Sequence, residues 1–144
     1  MSARDPQSER AFEVVRVGWV ESSLVDPLDA PRQGDEGAPG AWLVFEPSVA
    51  DAMAGIQAGD EMVVLTWLDR ASRDELRTRP RDDPSRAPVG VFSTRSPSRP
   101  NPIGLHRVRV RAVDGLRVQV DHLEAIDQTP IIDVKPVLGP VDER

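Results

Sequence analysis

The stretch Ile103-Gly104-Leu105-His106-Arg107-Val108-Arg109-Val110-Arg111-Ala112-Val113-Asp114-Gly115-Leu116-Arg117-Val118-Gln119-Val120 decides the fold class. His106, Val108, Val110 and Ala112 alternate with Arg107, Arg109 and Arg111, the period of two that marks a strand with one apolar and one charged face. Asp114-Gly115 then reads as a tight two-residue turn, because glycine accepts the positive φ that such turns require. Leu116 to Val120 runs back and completes a hairpin. The arginine face is expected to look at solvent or at a partner.

Other strands are legible on both sides of this hairpin. Phe12 to Val20 alternates Val15, Val17 and Trp19 with Arg16 and Gly18. Ala41 to Phe45, Met62 to Leu68, Val89 to Ser93 and Pro130 to Val134 are apolar runs of strand length. One short helix is expected after Pro47, which suits a first helical turn, with Val49, Ala52, Met53 and Ile56 at helical spacing and Gly55 or Gly59 ending it. Glu21 to Gly40 is rich in Pro, Gly and Asp and reads as a long loop, of the kind that is usually functional or disordered. Arg70 to Pro88 reads as loop. The three prolines of Thr94 to Pro102 exclude regular structure. The expectation is a mostly β protein, a small β-barrel with one or two short helices, forming a single domain over residues 1–144 with 1–10 flexible.

Composition narrows the chemistry. The chain has no cysteine, which excludes disulfides, thiolate metal sites and cysteine nucleophiles. His106 and His122 are its only histidines, too few for a histidine-rich metal site, and no metal is expected. No apolar run is long enough to span a membrane and the start is polar, so no membrane partner and a cytoplasmic location are expected. The formal net charge of -6 argues against bulk nucleic-acid coating. The charge is uneven, however: Arg70 to Arg99 holds eight arginines and four acids, a net +4 that leaves -10 for the remainder. Such a stretch suits phosphate contact, or equally a solvated arginine-rich loop.

Two segments concentrate polar chemistry. Gly90-Val91-Phe92-Ser93-Thr94-Arg95-Ser96-Pro97-Ser98-Arg99-Pro100-Asn101-Pro102-Ile103-Gly104-Leu105 is a proline-stiffened stretch that presents two guanidinium groups, several hydroxyls and an amide. Asp127-Gln128-Thr129-Pro130-Ile131-Ile132-Asp133-Val134-Lys135-Pro136 offers two acids, a hydroxyl and the only lysine. Asp133 and Lys135 are two apart, so in a strand they share a face. They form either an exposed ion pair or one wall of a pocket.

The first segment resembles the pattern G-V-F-A-T-R-S-P-x-R-P-N-P-I-G-L of the TsaA-like (YaeB-like) family, with Ser93 in place of alanine. The second resembles D-G-T-P-V-x-D-I-K-P-Y, with Gln128 at the glycine and Val137 at the tyrosine. Pro31-Arg32-Gln33 is similar to the family's P-R-Q motif, and Glu61-Met62 stands where His-Leu is usual. The resemblance covers about residues 12 to 138. It implies a small β-barrel, a homodimer and bound S-adenosylmethionine. The implied activity is that of a tRNA adenine-N6 methyltransferase acting on threonylcarbamoyladenosine, with tRNA as a candidate partner.

Matched by motif, the implied cofactor-binding residues are Pro31, Arg32, Gln33, Arg95, Leu105, Asp127, Gln128, Thr129 and Pro130. Asp133 and Lys135 are the candidates for catalytic base and electrostatic support, with a structural ion pair as the alternative. Arg99 and Asn101 are the candidates for RNA contact. Two other functions fit the same residues: a methyltransferase acting on a small molecule, and a non-catalytic S-adenosylmethionine-binding module.

Overall fold

A computed structural model describes residues 10–26 and 39–139. Its strands are β1 (Gly18–Glu21), β2 (Ala41–Phe45), β3 (Glu61–Trp67), β4 (Arg77–Thr78), β5 (Val89–Gly90), β6 (Ile103–Asp114), β7 (Arg117–Val120) and β8 (Pro130–Pro136). Six of them pair in the order β1-β2-β7-β6-β3-β8. Gly18 opposite Ile131 and Trp19 opposite Pro130 join β8 back to β1, so the sheet closes into a ring and leaves no long open edge. β4 and β5 form a separate two-stranded ribbon.

The mostly β expectation holds, and the hairpin is where it was read. Burial alternates strictly along β6 from Ile103 to Arg111, with the arginines outside. The turn lies one residue later than expected. Asp114 pairs with Arg117, so the two loop residues are Gly115 and Leu116. Gly115 has φ +60 and Leu116 has no positive φ, which is the type II′ arrangement with glycine first. The register slips between Val110 and Ala112, a bulge that bends the long strand round the ring. Inside, Val20, Leu43, Val64, Val118 and Ile131 have no exposed surface. Outside, Glu61 accepts from Arg107 at 2.5 and 3.0 Å and from Arg109 at 2.8 Å. The hydrogen bond from Arg107, aided by its charge and that of Arg109, holds the Glu61 carboxyl below the ordinary carboxylate range.

Several expected elements are different. The strand expected over Val89 to Ser93 is strand only at Val89–Gly90 and turns into 3₁₀ at Val91–Ser93, and the expected loop Arg70 to Pro88 carries β4. β1 starts at Gly18 rather than Phe12, and Phe12, Val14 and Val15 are 64–74% exposed. The cause is the partner strand: β2 ends at Phe45, opposite Gly18, so the chain before it has no ladder to join beyond the two bonds at Val17. The helix after Pro47 is a 3₁₀ segment, Pro47–Met53, with a non-helical Val49 (φ -110, ψ 15). Seven residues are too few to offset α-helix nucleation. Val49, Met53 and Ile56 nevertheless pack against the core, as their spacing implied. Two further 3₁₀ turns, Pro80–Asp82 and Val91–Ser93, complete the helical content among the described residues.

Candidate functional site

The segment 121–129, which joins β7 to β8, organises one end of the ring. Its Asp127 N–H donates to the Leu24 carbonyl at 2.6 Å, and the Gln128 N–H to the Val20 carbonyl at 2.7 Å. The Leu123 N–H donates to the Pro39 carbonyl at 3.0 Å. The segment therefore holds the described residues on both sides of 27–38. Pro31, Arg32 and Gln33 themselves lie outside the described residues.

An open cleft of about 490 Å³ sits here, lined by Glu21, Ser22, Ser23, Gly40, Ala41, Trp42, Asp127 and Gln128. That volume falls within the usual range for small-molecule sites, roughly 300–1,000 Å³. The Ser22 N–H donates to Asp127 Oδ1 at 3.0 Å. Oδ2 of the same carboxylate has no partner among the described residues. One oxygen is thus fixed by a described backbone N–H. Glu21 lies on the same wall, paired with Arg117 at 2.7 Å, and the Arg117 guanidinium also stacks on Trp42 at 4.9 Å. Ser22, Ser23 and Trp42 were not singled out in the sequence. They belong to a plain strand and loop and become a wall only when β1 and β2 pair.

Gln128 occupies a left-handed conformation, φ +69. The backbone keeps the shape that glycine would adopt without strain, and the side chain faces the cleft. Left-handed φ costs a non-glycine residue roughly 1–2 kcal/mol, partly offset by the entropy that glycine loses. Gln128→Gly is therefore expected to stabilise the protein by about 0.5–1 kcal/mol, read as a higher urea midpoint at unchanged slope.

The remaining candidates divide into three groups. Thr129 is 2% exposed and its hydroxyl donates to the Ile126 carbonyl at 2.7 Å, so it braces the turn. Its N–H also bonds Ile126, and its carbonyl accepts from Val20, which leaves little of Thr129 for reading a ligand edge. Pro130 opens β8 opposite Trp19. Leu105 and Asp133 flank Leu65 from either side of β3, and Asp133 and Lys135 form an ion pair at 3.4 Å with side chains 49% and 65% exposed. This face adjoins a second cleft of about 360 Å³, beneath the 3₁₀ segment and lined in part by Met53, Ile56 and Asp133. Asp133 lies three residues, about 10 Å, along β8 from Pro130.

The third group is the proline–arginine loop. Arg95 is exposed and has no partner among the described residues. The Arg99 guanidinium donates to the Thr94 carbonyl at 3.0 and 3.1 Å and to the Val91 carbonyl, so it shapes the loop from within. Asn101 is exposed, and its Oδ1 accepts from Arg73 at 2.9 Å. The first and second motif segments do meet: Thr66 of β3 lies between Gly104 and Ile131, about two inter-strand spacings or 10 Å across.

Residues 19–143 match the family model described as the tRNA-methyltransferase O N-terminal domain. The chain belongs to this family. Other members are similar along most of the chain. An S-adenosyl-L-methionine-binding protein of Archaeoglobus fulgidus is 40% identical over 126 residues, 88% of this chain and 89% of that protein. The tRNA (adenine(37)-N6)-methyltransferase of Escherichia coli is 31% identical, covering 89% of this chain and 58% of that enzyme. The crystal structure of TrmO from Pseudomonas aeruginosa superposes with a TM-score of 0.72 at 25% identity, covering 94% of this chain and 61% of that one. The chain thus spans about three-fifths of the enzyme and of the solved structure.

Proposed function

We propose that this chain binds S-adenosylmethionine in the Asp127 cleft and transfers its methyl group to N6 of threonylcarbamoyladenosine in tRNA. The observation that carries the reading is the Asp127 carboxylate, fixed by the Ser22 N–H through one oxygen and with no described partner on the other, in a cleft of about 490 Å³. Asp127 would accept from the cofactor's ammonium or ribose hydroxyls. Trp42 supplies an aromatic face for adenine, and Arg32 and Arg95 are assigned to the carboxylate, which guanidinium pairs through two parallel hydrogen bonds. Bound S-adenosylmethionine supplies an electrophilic methyl group.

The acceptor nitrogen is conjugated to a carbonyl and is a poor nucleophile, so it needs a base or support for its anion. Asp133 and Lys135 take these roles in this reading. Ile103 and Leu105, 43% and 48% exposed on the same face of the ring, suit a homodimer contact, which would carry that face of one copy towards the cleft of the other. Charge favours RNA as the acceptor. Arg73, Arg77, Arg79 and Arg99 donate to backbone carbonyls rather than to carboxylates, so the ribbon and its flanks keep much of their positive charge for phosphate.

A second reading has its own support. The Archaeoglobus fulgidus relative, covered along 89% of its length, is named for cofactor binding alone. The discriminating experiment gives the pure protein labelled S-adenosylmethionine and bulk tRNA, followed by digestion to nucleosides. Label in N6-methylated threonylcarbamoyladenosine, with tRNA binding that weakens as salt rises, is the expected result. Methyl transfer only to small molecules would move the acceptor, and binding without any product would leave a cofactor-binding module.

A further inference from the structure

His106 projects into the ring and is 4% exposed. Its Nε2 lies 2.7 Å from Thr66 Oγ1 and its Nδ1 lies 2.5 Å from Glu124 Oε1. An ionised carboxylate only accepts, so Nδ1–H donates to Glu124, and Nε2 is left to pair with the Thr66 hydroxyl. Hydroxyl, imidazole and carboxylate stand in the order of a hydrolytic triad, but Thr66 has no exposed surface and cannot meet a substrate. The chain of bonds has a different use. Glu124 belongs to segment 121–129, whereas His106 directly follows the proline–arginine block on β6.

Glu124 reaches into the ring to His106 of β6, while Asp121, at the start of the segment, accepts from the Arg109 N–H of the same strand at 2.8 Å. The neighbours of Glu124, Leu123 and Ala125, are 0% and 4% exposed, while Asp127 and Gln128, three and four residues after it, line the cleft. The three groups form a hydrogen-bonded chain from β3 through β6 to segment 121–129. We propose that His106 is a positioning residue: through Glu124 it sets where Asp127 and Gln128 stand relative to the proline–arginine block, and so tunes cofactor affinity from outside the cleft. The affinity part rests on the cofactor reading above.

The test is Glu124→Ala in the full chain, with Glu124→Gln as the conservative partner because its amide oxygen still accepts from Nδ1–H. Glu124→Ala should weaken S-adenosylmethionine binding by about tenfold or more in calorimetry, since small misplacement of a binding group has effects of this size. Turnover at saturating cofactor should stay within about twofold, because only binding has been loosened. In the ligand-free protein, the Asp127 and Gln128 amides should exchange about tenfold faster while those of β3 and β6 keep their protection. Glu124→Gln should restore both readouts.

Unchanged affinity in a folded Glu124→Ala protein, or unchanged exchange at Asp127 and Gln128, overturns the proposal. If the unaltered protein binds no cofactor, the cofactor reading fails and the affinity claim fails with it; exchange still decides the positioning claim. Should Glu124→Ala not fold, Glu124→Leu fills the volume without accepting from Nδ1–H, and is judged by the same readouts.

Discussion

Gly104→Ala is expected to destabilise the protein by about 3 kcal/mol, the sum of overpacking and of buried hydrogen bonds disrupted. A Cβ at Gly104 would stand 2.4 Å from Thr66 Oγ1 and 2.7 Å from His106 Nε2. Neither neighbour can retreat cheaply. Thr66 is β-branched and fully buried, and His106 is held on its far side by Glu124. The added methyl group must displace the hydroxyl, the ring or the strand, and each choice breaks the Thr66–His106–Glu124 chain. Urea denaturation measures the loss. Thr66→Ala in the same background removes the nearest obstacle and should recover roughly a third to a half of it, because neighbouring substitutions couple. A Gly104→Ala protein as stable as the original would show that the ring interior is not packed as described.

Asp127→Ala should weaken S-adenosylmethionine binding by about thirtyfold or more, because hydrogen bonds to a charged group contribute about 1.5–3 kcal/mol. Two effects combine in this variant. The carboxylate oxygen that has no partner among the described residues is lost as an acceptor, and the Ser22 N–H loses the Oδ1 that orients the opposite wall. Asp127→Asn separates them. It retains an oxygen for Ser22 but turns the ligand-facing oxygen into an amide donor, so it isolates the ligand contact from the Ser22 contact, and its loss should be smaller than that of alanine, about tenfold. Calorimetry on both variants, with melting temperatures as the control for folding, gives the two numbers. Equal affinities for Asp127→Ala and the unaltered protein would remove Asp127 from the cofactor site.

Much of this arrangement was legible because it is local. Alternating valine and arginine along β6, followed by an Asp-Gly pair, specifies a hairpin, since a slip of one residue would turn every arginine inward. The turn itself was read one residue early, because Gly115 serves as the first central residue rather than the second. Phe12 to Arg16 alternates like a strand but has no neighbouring strand among the described residues, and pairing is a property of the partner. Of the motif residues, Asp127 and Gln128 line the Ser22–Trp42 cleft, and the others described lie elsewhere. Thr129 and Arg99 look like ligand contacts by type, yet their donors are taken by the Ile126, Thr94 and Val91 carbonyls.

What could not be read was non-local. His106 lies 18 residues from Glu124 and 40 from Thr66, and no local pattern selects those partners. Trp42 joins the cleft only because β2 pairs with β1 and leaves its side chain beside Ser22. Gln128 is the instructive middle case. Its type argues against a left-handed backbone, but the turn between Ile126 and Pro130 imposes one, and the surrounding hydrogen bonds outweigh the local cost.

Co-crystallisation with S-adenosylhomocysteine, the demethylated cofactor, tests the central claim most directly. The ligand is expected against Ser22, Ser23, Gly40 and Trp42, with Oδ2 of Asp127 bonded to its ammonium or ribose. A ligand seated instead in the cleft beneath residues 47–56, or no ligand at saturating concentration, would contradict the assignment of this site.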